Sequence, residues 1–122
     1  MKIYLSMPIT GYDIEERKQY AERVKNKIQQ RFMFAQVITP FDICQDTSLP
    51  YSKLMGMDIE KLLECNAICM THRWSFSKGC RVEKYIASTY GKTIMFLNDK
   101  KGHFWLTKEC NYGKKRKSSK EA

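Results

Sequence analysis

KIYLSMPITGYDIEERKQYAERVKNKIQQRF, residues 2 to 32, passes from a short apolar run through a turn into a long amphipathic pattern. The run KIYLSM at 2 to 7 has the look of a strand closed by Pro8, and Thr10, Gly11 and Asp13 supply turn and helix-start signals. From Asp13 to Phe32 the apolar residues Ile14, Ala21, Val24, Ile28 and Phe32 recur at spacings of seven, three, four and four, with charges on the other face. That periodicity predicts an amphipathic helix, so the first unit is strand, tight loop, helix.

Working outward, the pattern repeats. AQVIT at 35 to 39 is β-branched and ends at Pro40, and FDICQDTSLP at 41 to 50 reads as a loop rich in turn formers. KLMGMDIEKLLEC at 53 to 65 predicts a second helix with Leu54, Met57, Leu62 and Leu63 inward, despite Gly56. AICM at 67 to 70 is a buried strand, and after the loop THRWSF a third helix runs from Lys78 to Tyr90, capped by Ser77 and closed by Gly91. TIMFL at 93 to 97 is one more short strand.

Short strands that are apolar throughout, alternating with helices, predict a mainly parallel sheet covered on both faces. The expected class is α/β, a small Rossmann-like or flavodoxin-like three-layer sandwich. Such sheets hold ligands beyond the carboxyl ends of their strands, so the loops 7–13, 40–52 and 71–79 are expected to share one rim.

The chain of 122 residues, 43% hydrophobic with 3 Pro and 6 Gly, suits one compact domain and not a disordered or collagen-like chain. That domain is expected over residues 1–107. No apolar run approaches the roughly 18 residues that span a bilayer, and MKIYLSMPIT turns polar too soon for a signal peptide. A cytoplasmic protein without membrane contact is expected. The five cysteines Cys44, Cys65, Cys69, Cys80 and Cys110 include no CxxC pair, which suits reduced, buried thiols. Cys65, Cys69 and His72 straddle a helix end and a strand, so neither a metal site nor any cofactor is expected.

Formal charge is +9, and the stretch 108–122 holds six basic and two acidic residues. GKKRKSSKEA has no apolar periodicity and reads as a mobile basic tail, the one part suited to nucleic acid, through phosphates and without sequence readout. The body keeps a modest positive excess, a hint of an anionic ligand.

The loop SMPITG at 6 to 11 delivers a strand into a helix N-terminus, but it matches neither GxxxxGK[ST] nor GxGxxG. It reads equally as a ligand loop or a plain turn. Ser77, Lys78 and Gly79 form a second candidate anion site, with Arg81 nearby, although Ser77 also suits a plain cap. Glu83 falls within the first two turns of that helix and Asp58 near the start of the previous one. A pair of carboxylates is what glycosidic cleavage requires: one stabilises or bonds to an oxocarbenium-like sugar, the other handles protons or orients the sugar. Each acid alone also suits a solvated helix face. Trp74 and Phe76, with Phe41 and Tyr51 in the other long loop, are candidate walls for a base, or ordinary lids over the core.

KIYLSMPITG, MDIEKLLECNAI and WSFSKGCRVEKYIA, taken together, resemble the nucleoside 2-deoxyribosyltransferase superfamily, in particular the small DUF4406 group, and are similar to 2′-deoxynucleoside 5′-phosphate N-hydrolases. The resemblance runs in order from Met1 to about Leu97. It implies that Glu83 is the nucleophile attacking the anomeric carbon of a deoxyribose, forming a covalent glycosyl-enzyme intermediate. It implies that Asp58 protonates the leaving base or holds the sugar and that Ser77 contacts a 5′-phosphate. Tyr4, Ser6, Met7, Pro8, Ile9, Thr10 and Gly11 would embrace sugar and phosphate; Phe41, Trp74 and Gly79 complete the expected binding set. A homo-oligomer is implied as well, with His103 to Tyr112 at an interface. The expected function is cleavage or transfer at the N-glycosidic bond of a deoxynucleoside or its 5′-monophosphate. The alternatives are a nucleotide-binding sensor without turnover and a nucleic-acid-binding accessory protein.

Overall fold

A computed structural model describes residues 1–44, 46, 48–100 and 103–108, with side chains described up to Asn98. The chain runs β1 (Lys2–Ser6), α1 (Ile14–Arg31), β2 (Gln36–Ile38), α2 (Pro40–Ile43), α3 (Tyr51–Glu64), β3 (Ala67–Met70), a 3₁₀ turn (Trp74–Phe76), α4 (Lys78–Thr89), β4 (Thr93–Lys100) and β5 (His103–Lys108). The sheet order is β2-β1-β3-β4-β5. The first four strands are parallel, and β5 pairs antiparallel with β4. This is the expected α/β class with flavodoxin-like strand order, whose direction reverses between β1 and β3.

Strand periodicity sorts the core into two layers. Ile3, Leu5 and Met7 of the β1 segment face α1, where they pack with Tyr20, Ala21, Val24 and Ile28. Tyr4 lies in the opposite core, with Leu62 of α3 and Cys80 and Ala87 of α4. The two sides of one five-residue strand thus serve two different cores, the signature of a sheet buried on both faces.

The helix ends follow local chemistry. Asp13 caps α1 by accepting from the Glu16 amide at 2.9 Å, with Glu15 and Glu16 in the first turn where the helix dipole favours them. Ser77 caps α4 through the Cys80 amide at 3.3 Å. Past its other end, Gly91 takes φ +73° while its amide reaches Ser88 O and the Lys92 amide reaches Ala87 O, the paired bonds of a Schellman ending.

Several local readings need correction. Pro40–Ile43, expected to be loop after Pro40, is a helical turn, because Thr39 and Asp42 form a reciprocal capping box that closes it. Ile14 is 37% exposed rather than inward; Arg17 and Tyr20 take the buried places on that face. Leu63 is likewise exposed, since Leu62 alone occupies the fully buried position of α3. Strand β4 runs beyond Leu97 to Lys100 because β5 supplies a pairing partner. Cys65 and Cys69 belong to opposite cores with the sheet between them, and His72 is exposed. The basic tail from Glu109 onward, Cys110 and the end of the expected interface segment lie outside the described residues. Among the described residues, no helix is long and apolar enough to cross a membrane.

Two substitutions in α3 separate its faces. Gly56 is exposed, with nothing within 4 Å of the point where a side-chain methyl would sit, so Gly56→Ala is expected to raise stability by about 0.5–1 kcal/mol. Leu62 is fully buried, so Leu62→Ala is expected to cost about 2–5 kcal/mol. Urea denaturation of the two variants measures both.

Candidate functional site

The end of β1 is pinned before it enters its loop. Thr71, just past β3, donates both its amide (3.2 Å) and its hydroxyl (3.0 Å) to the Ser6 carbonyl, locking the carboxyl ends of the two central strands together. Beyond that lock the chain opens into the loop before α1. Gly11 has φ +87°, and the Tyr12 amide closes a turn on Ile9 O at 3.0 Å. Arg17 secures this loop from below: its Nη1 donates to Pro8 O at 3.2 Å, and its guanidinium lies 4.4 Å from the Tyr12 ring centroid and 4.6 Å from that of Tyr20. Glu16 holds the same guanidinium through two hydrogen bonds, at 2.6 and 2.8 Å.

A cleft of about 670 Å³ opens at this rim, within the size range of small-ligand sites. Its walls come from the β1 loop (Met7, Pro8, Ile9, Thr10, Tyr12), Pro40 after β2, and α3 (Tyr51, Leu54, Met55, Asp58). Arg73, Phe76, Ser77, Lys78, Gly79, Cys80 and Glu83 complete it from the segment after β3. The three expected loops do share one rim. Gly79 admits close approach: a Cβ there would stand 3.3 Å from the Tyr51 hydroxyl, so glycine lets α3 and α4 close tightly at their N-termini.

Glu83 is the chemical centre. It follows Cys80 by three positions and precedes Ala87 by four, on the buried stripe of α4. That places its carboxyl opposite β1, whose alternation turns Tyr4 and Ser6 to the same face. Tyr4 Oη donates to Glu83 Oε2 at 2.7 Å and Ser6 Oγ to Oε1 at 2.7 Å. Glu83 is 5% exposed, and burial pushes its pKa up to about 7, against the two hydroxyl bonds, with the Asp58 charge adding to the rise. Asp58, half-buried in α3, is raised by burial to about 6. Burial and the facing carboxylates push the Tyr4 phenol well above its usual value, so it remains a donor. Cys80 is a neutral thiol on the cleft wall, its pKa raised by burial despite hydrogen bonds with Ser6 and Ser77.

The structure thus brings together Met7, Pro8, Ile9, Thr10, Asp58, Ser77, Gly79 and Glu83 of the expected set. Tyr4 and Ser6 are fully buried and line no part of the cleft; they grip Glu83 instead of a ligand. Three further residues of the expected set do not line the cleft. Phe41, on the helical turn α2, packs against the α1-side core. Trp74 packs on the other core with its ring 5.8 Å from that of Phe96. Gly11 makes the turn that carries Tyr12 to the cleft, without lining it. Tyr51 and Phe76 do stand on the wall, and Lys78 lines it where Arg81 does not. Tyr12 and Arg73 fall in the loops 7–13 and 71–79 expected at the rim but were not singled out as site residues, nor were Leu54 and Met55, whose one signal was helical spacing four and three residues before Asp58 on a common side of α3.

The chain belongs to the DUF4406 family, a domain of unknown function, whose model matches residues 1–96. All the cleft residues fall within that match. No curated protein matches the chain.

A buried glutamate of raised pKa makes stability pH-dependent. The unfolded side chain ionises near 4.5 and the folded one near 7, so across that window the folded state binds more protons and loses stability as pH rises. The loss is about 3 kcal/mol once pH exceeds the folded value. Glu83→Gln keeps the shape without the charge. Thermal unfolding is expected to show the variant close to the parent at about pH 4.5 and more stable at about pH 8.

Proposed function

We propose that this chain cleaves, or transfers, at the N-glycosidic bond of a deoxynucleoside or its 5′-monophosphate, by a retaining route through Glu83. The observation that carries this reading is a buried carboxylate on a cleft wall that accepts two hydroxyl hydrogen bonds and is influenced by a second acid, Asp58, on the same cleft. The resemblance of the three sequence segments to the nucleoside 2-deoxyribosyltransferase superfamily supports it independently.

The chemistry follows from the environment. Glu83 in its ionised form attacks the anomeric carbon as the bond from that carbon to the base nitrogen breaks, giving a glycosyl ester. Tyr4 and Ser6 fix both oxygens in place, so the nucleophile needs little reorganisation to reach the sugar. In the second step water or another base attacks the same carbon and the carboxylate departs. The two hydroxyls then stabilise the charge that returns to it. Asp58, with a pKa about 6, serves at neutral pH either as proton source to the departing base or as carboxylate partner of a sugar hydroxyl. Tyr12, Tyr51 and Phe76 offer flat faces to a base.

Chromatography of free base released from a panel of deoxynucleosides and their monophosphates tests the reading. Release is expected from the parent protein, with kcat/KM rising on the acid side as Glu83 ionises near pH 7. Glu83→Gln is expected to lower it by roughly 10³-fold or more, and Asp58→Asn by roughly 10- to 10³-fold, on the order of a lost nucleophile and a lost acid or orienting group. Ligand-dependent thermal stabilisation without any base release would instead make the chain a binding module.

A further inference from the structure

Charge is divided unevenly along the chain. Residues 1–64 hold nine basic and nine acidic residues, and residues 65–122 hold thirteen and four, so the whole formal charge of +9 belongs to the second part. The sheet turns that division in sequence into one in space. Strands β3, β4 and β5 are consecutive in its order, and α4 packs on β3 and β4, so the basic part occupies one side of the molecule. From Thr71 to Lys92 the one acid is Glu83, which is buried and turned inward to Tyr4 and Ser6.

Helix α4 decides what that side presents. Its buried stripe is Cys80, Glu83 and Ala87. Lys78, Arg81 and Tyr85, spaced by three and four, fall on the opposite, outward face, and all three are exposed. In the 3₁₀ turn packed against α4, Arg73 and Phe76 continue the alternation of cation and ring, with the guanidinium carbon 4.8 Å from the ring centroid. The Phe76 ring is 76% exposed and that of Tyr85 73%. The ion pairs among the described residues are Arg17–Glu16, Lys18–Glu15 and Lys61–Glu64, so Arg73, Lys78 and Arg81 have no carboxylate partner there.

A helix that lies on a membrane inserts its apolar face, and the apolar residues Cys80 and Ala87 of α4 are already spent on the core. Rings interleaved with cations on an exposed face fit a polynucleotide instead: the cations follow the phosphates, and the flat rings stack on bases, whichever base is present. A duplex hides those base faces. We propose that the outward face of α4, together with Arg73 and Phe76, binds single-stranded nucleic acid without reading its sequence. Arg81 and Tyr85 line no part of the cleft, so this surface is tested apart from the glycosidic reading.

Fluorescence anisotropy of a labelled oligothymidylate of about twenty nucleotides, measured over a range of salt concentrations with the full chain, tests this, with a duplex of equal length and phosphatidylserine vesicles alongside. The parent is expected to bind the single strand more tightly than the duplex or the vesicles, with log Kd linear in log salt. Arg81→Gln is expected to lower the salt slope by about 0.7, the share of one phosphate contact on a single strand. Tyr85→Ala is expected to weaken binding about fivefold or more at unchanged slope, and Tyr85→Phe, which keeps the ring, to bind as the parent does. Affinity and slope unchanged in both Arg81→Gln and Tyr85→Ala put the contact elsewhere, the basic stretch 108–122 included, and overturn the proposal. Tighter binding to the duplex or to the vesicles, or no binding to the oligonucleotide at about 50 mM salt, overturns it as well.

Discussion

The bridge from α4 to β1 made by Glu83 is the constraint on which the site depends. A carboxyl group buried to 5% exposure without a cation is unfavourable in its ionised form, and two hydroxyl donors recover only part of that cost. A residue selected only for packing at this position would be apolar, as Cys80 and Ala87 are on the same stripe. The acid therefore stands where stability alone argues against it, the relation between strain and chemistry expected of a working site. The direction of β1 matters equally. Because alternate side chains face alternate layers, one strand both fills the α1-side core with Ile3 and Leu5 and presents Tyr4 and Ser6 to Glu83.

Everything else at the rim keeps that bridge in register with a cavity. The paired bonds from Thr71 to the Ser6 carbonyl join β1 to β3 at the level of the acid, so a shift of either strand would break the lock and the carboxylate grip together. Arg17 does the equivalent for the outer loop, tying Pro8 and Tyr12 to the face of α1. A buried arginine in this role is a weak source of stability but a strong source of geometry, because its fork and its flat face fix directions as well as distances. The cleft is thereby bounded by elements anchored in both cores.

Much of this architecture was legible in the residues. The apolar runs KIYLS, QVI and AICM, each without polar alternation, imply strands buried on both faces, and the capping residues Asp13, Ser77 and Gly91 place helix ends within a residue or two. Glu83 and Asp58 reach one cleft because the parallel topology brings the helix N-termini to the carboxyl edge and both acids lie within about two turns of them, a consequence of connectivity that strand and helix patterns already contain. What was not legible depends on individual backbone angles and on competition for space. Trp74 and Phe76 are two residues apart in one 3₁₀ turn, yet the first is drawn into the core beside Phe96 and the second is left 76% exposed at the cleft. No periodicity distinguishes them. Phe41 is diverted in the same way, by a capping box whose two members are separated by only three positions.

Arg73 illustrates the limit most clearly, because the property that matters is where its charge does not go. From composition, an arginine in a loop near two acids suggests an ion pair, and an ion pair would depress the pKa of Glu83 and weaken it as a base toward carbon. The Arg73 guanidinium instead lies 4.8 Å from the Phe76 ring centroid, and it forms no ion pair with either acid among the described residues. Glu83 is contacted, among those residues, by two neutral hydroxyls and no formal positive charge, and burial raises its pKa to about 7. Among the described residues no ion pair forms at the cleft, so the Glu83 pKa is set by burial, by two hydroxyl donors and by the charge of Asp58.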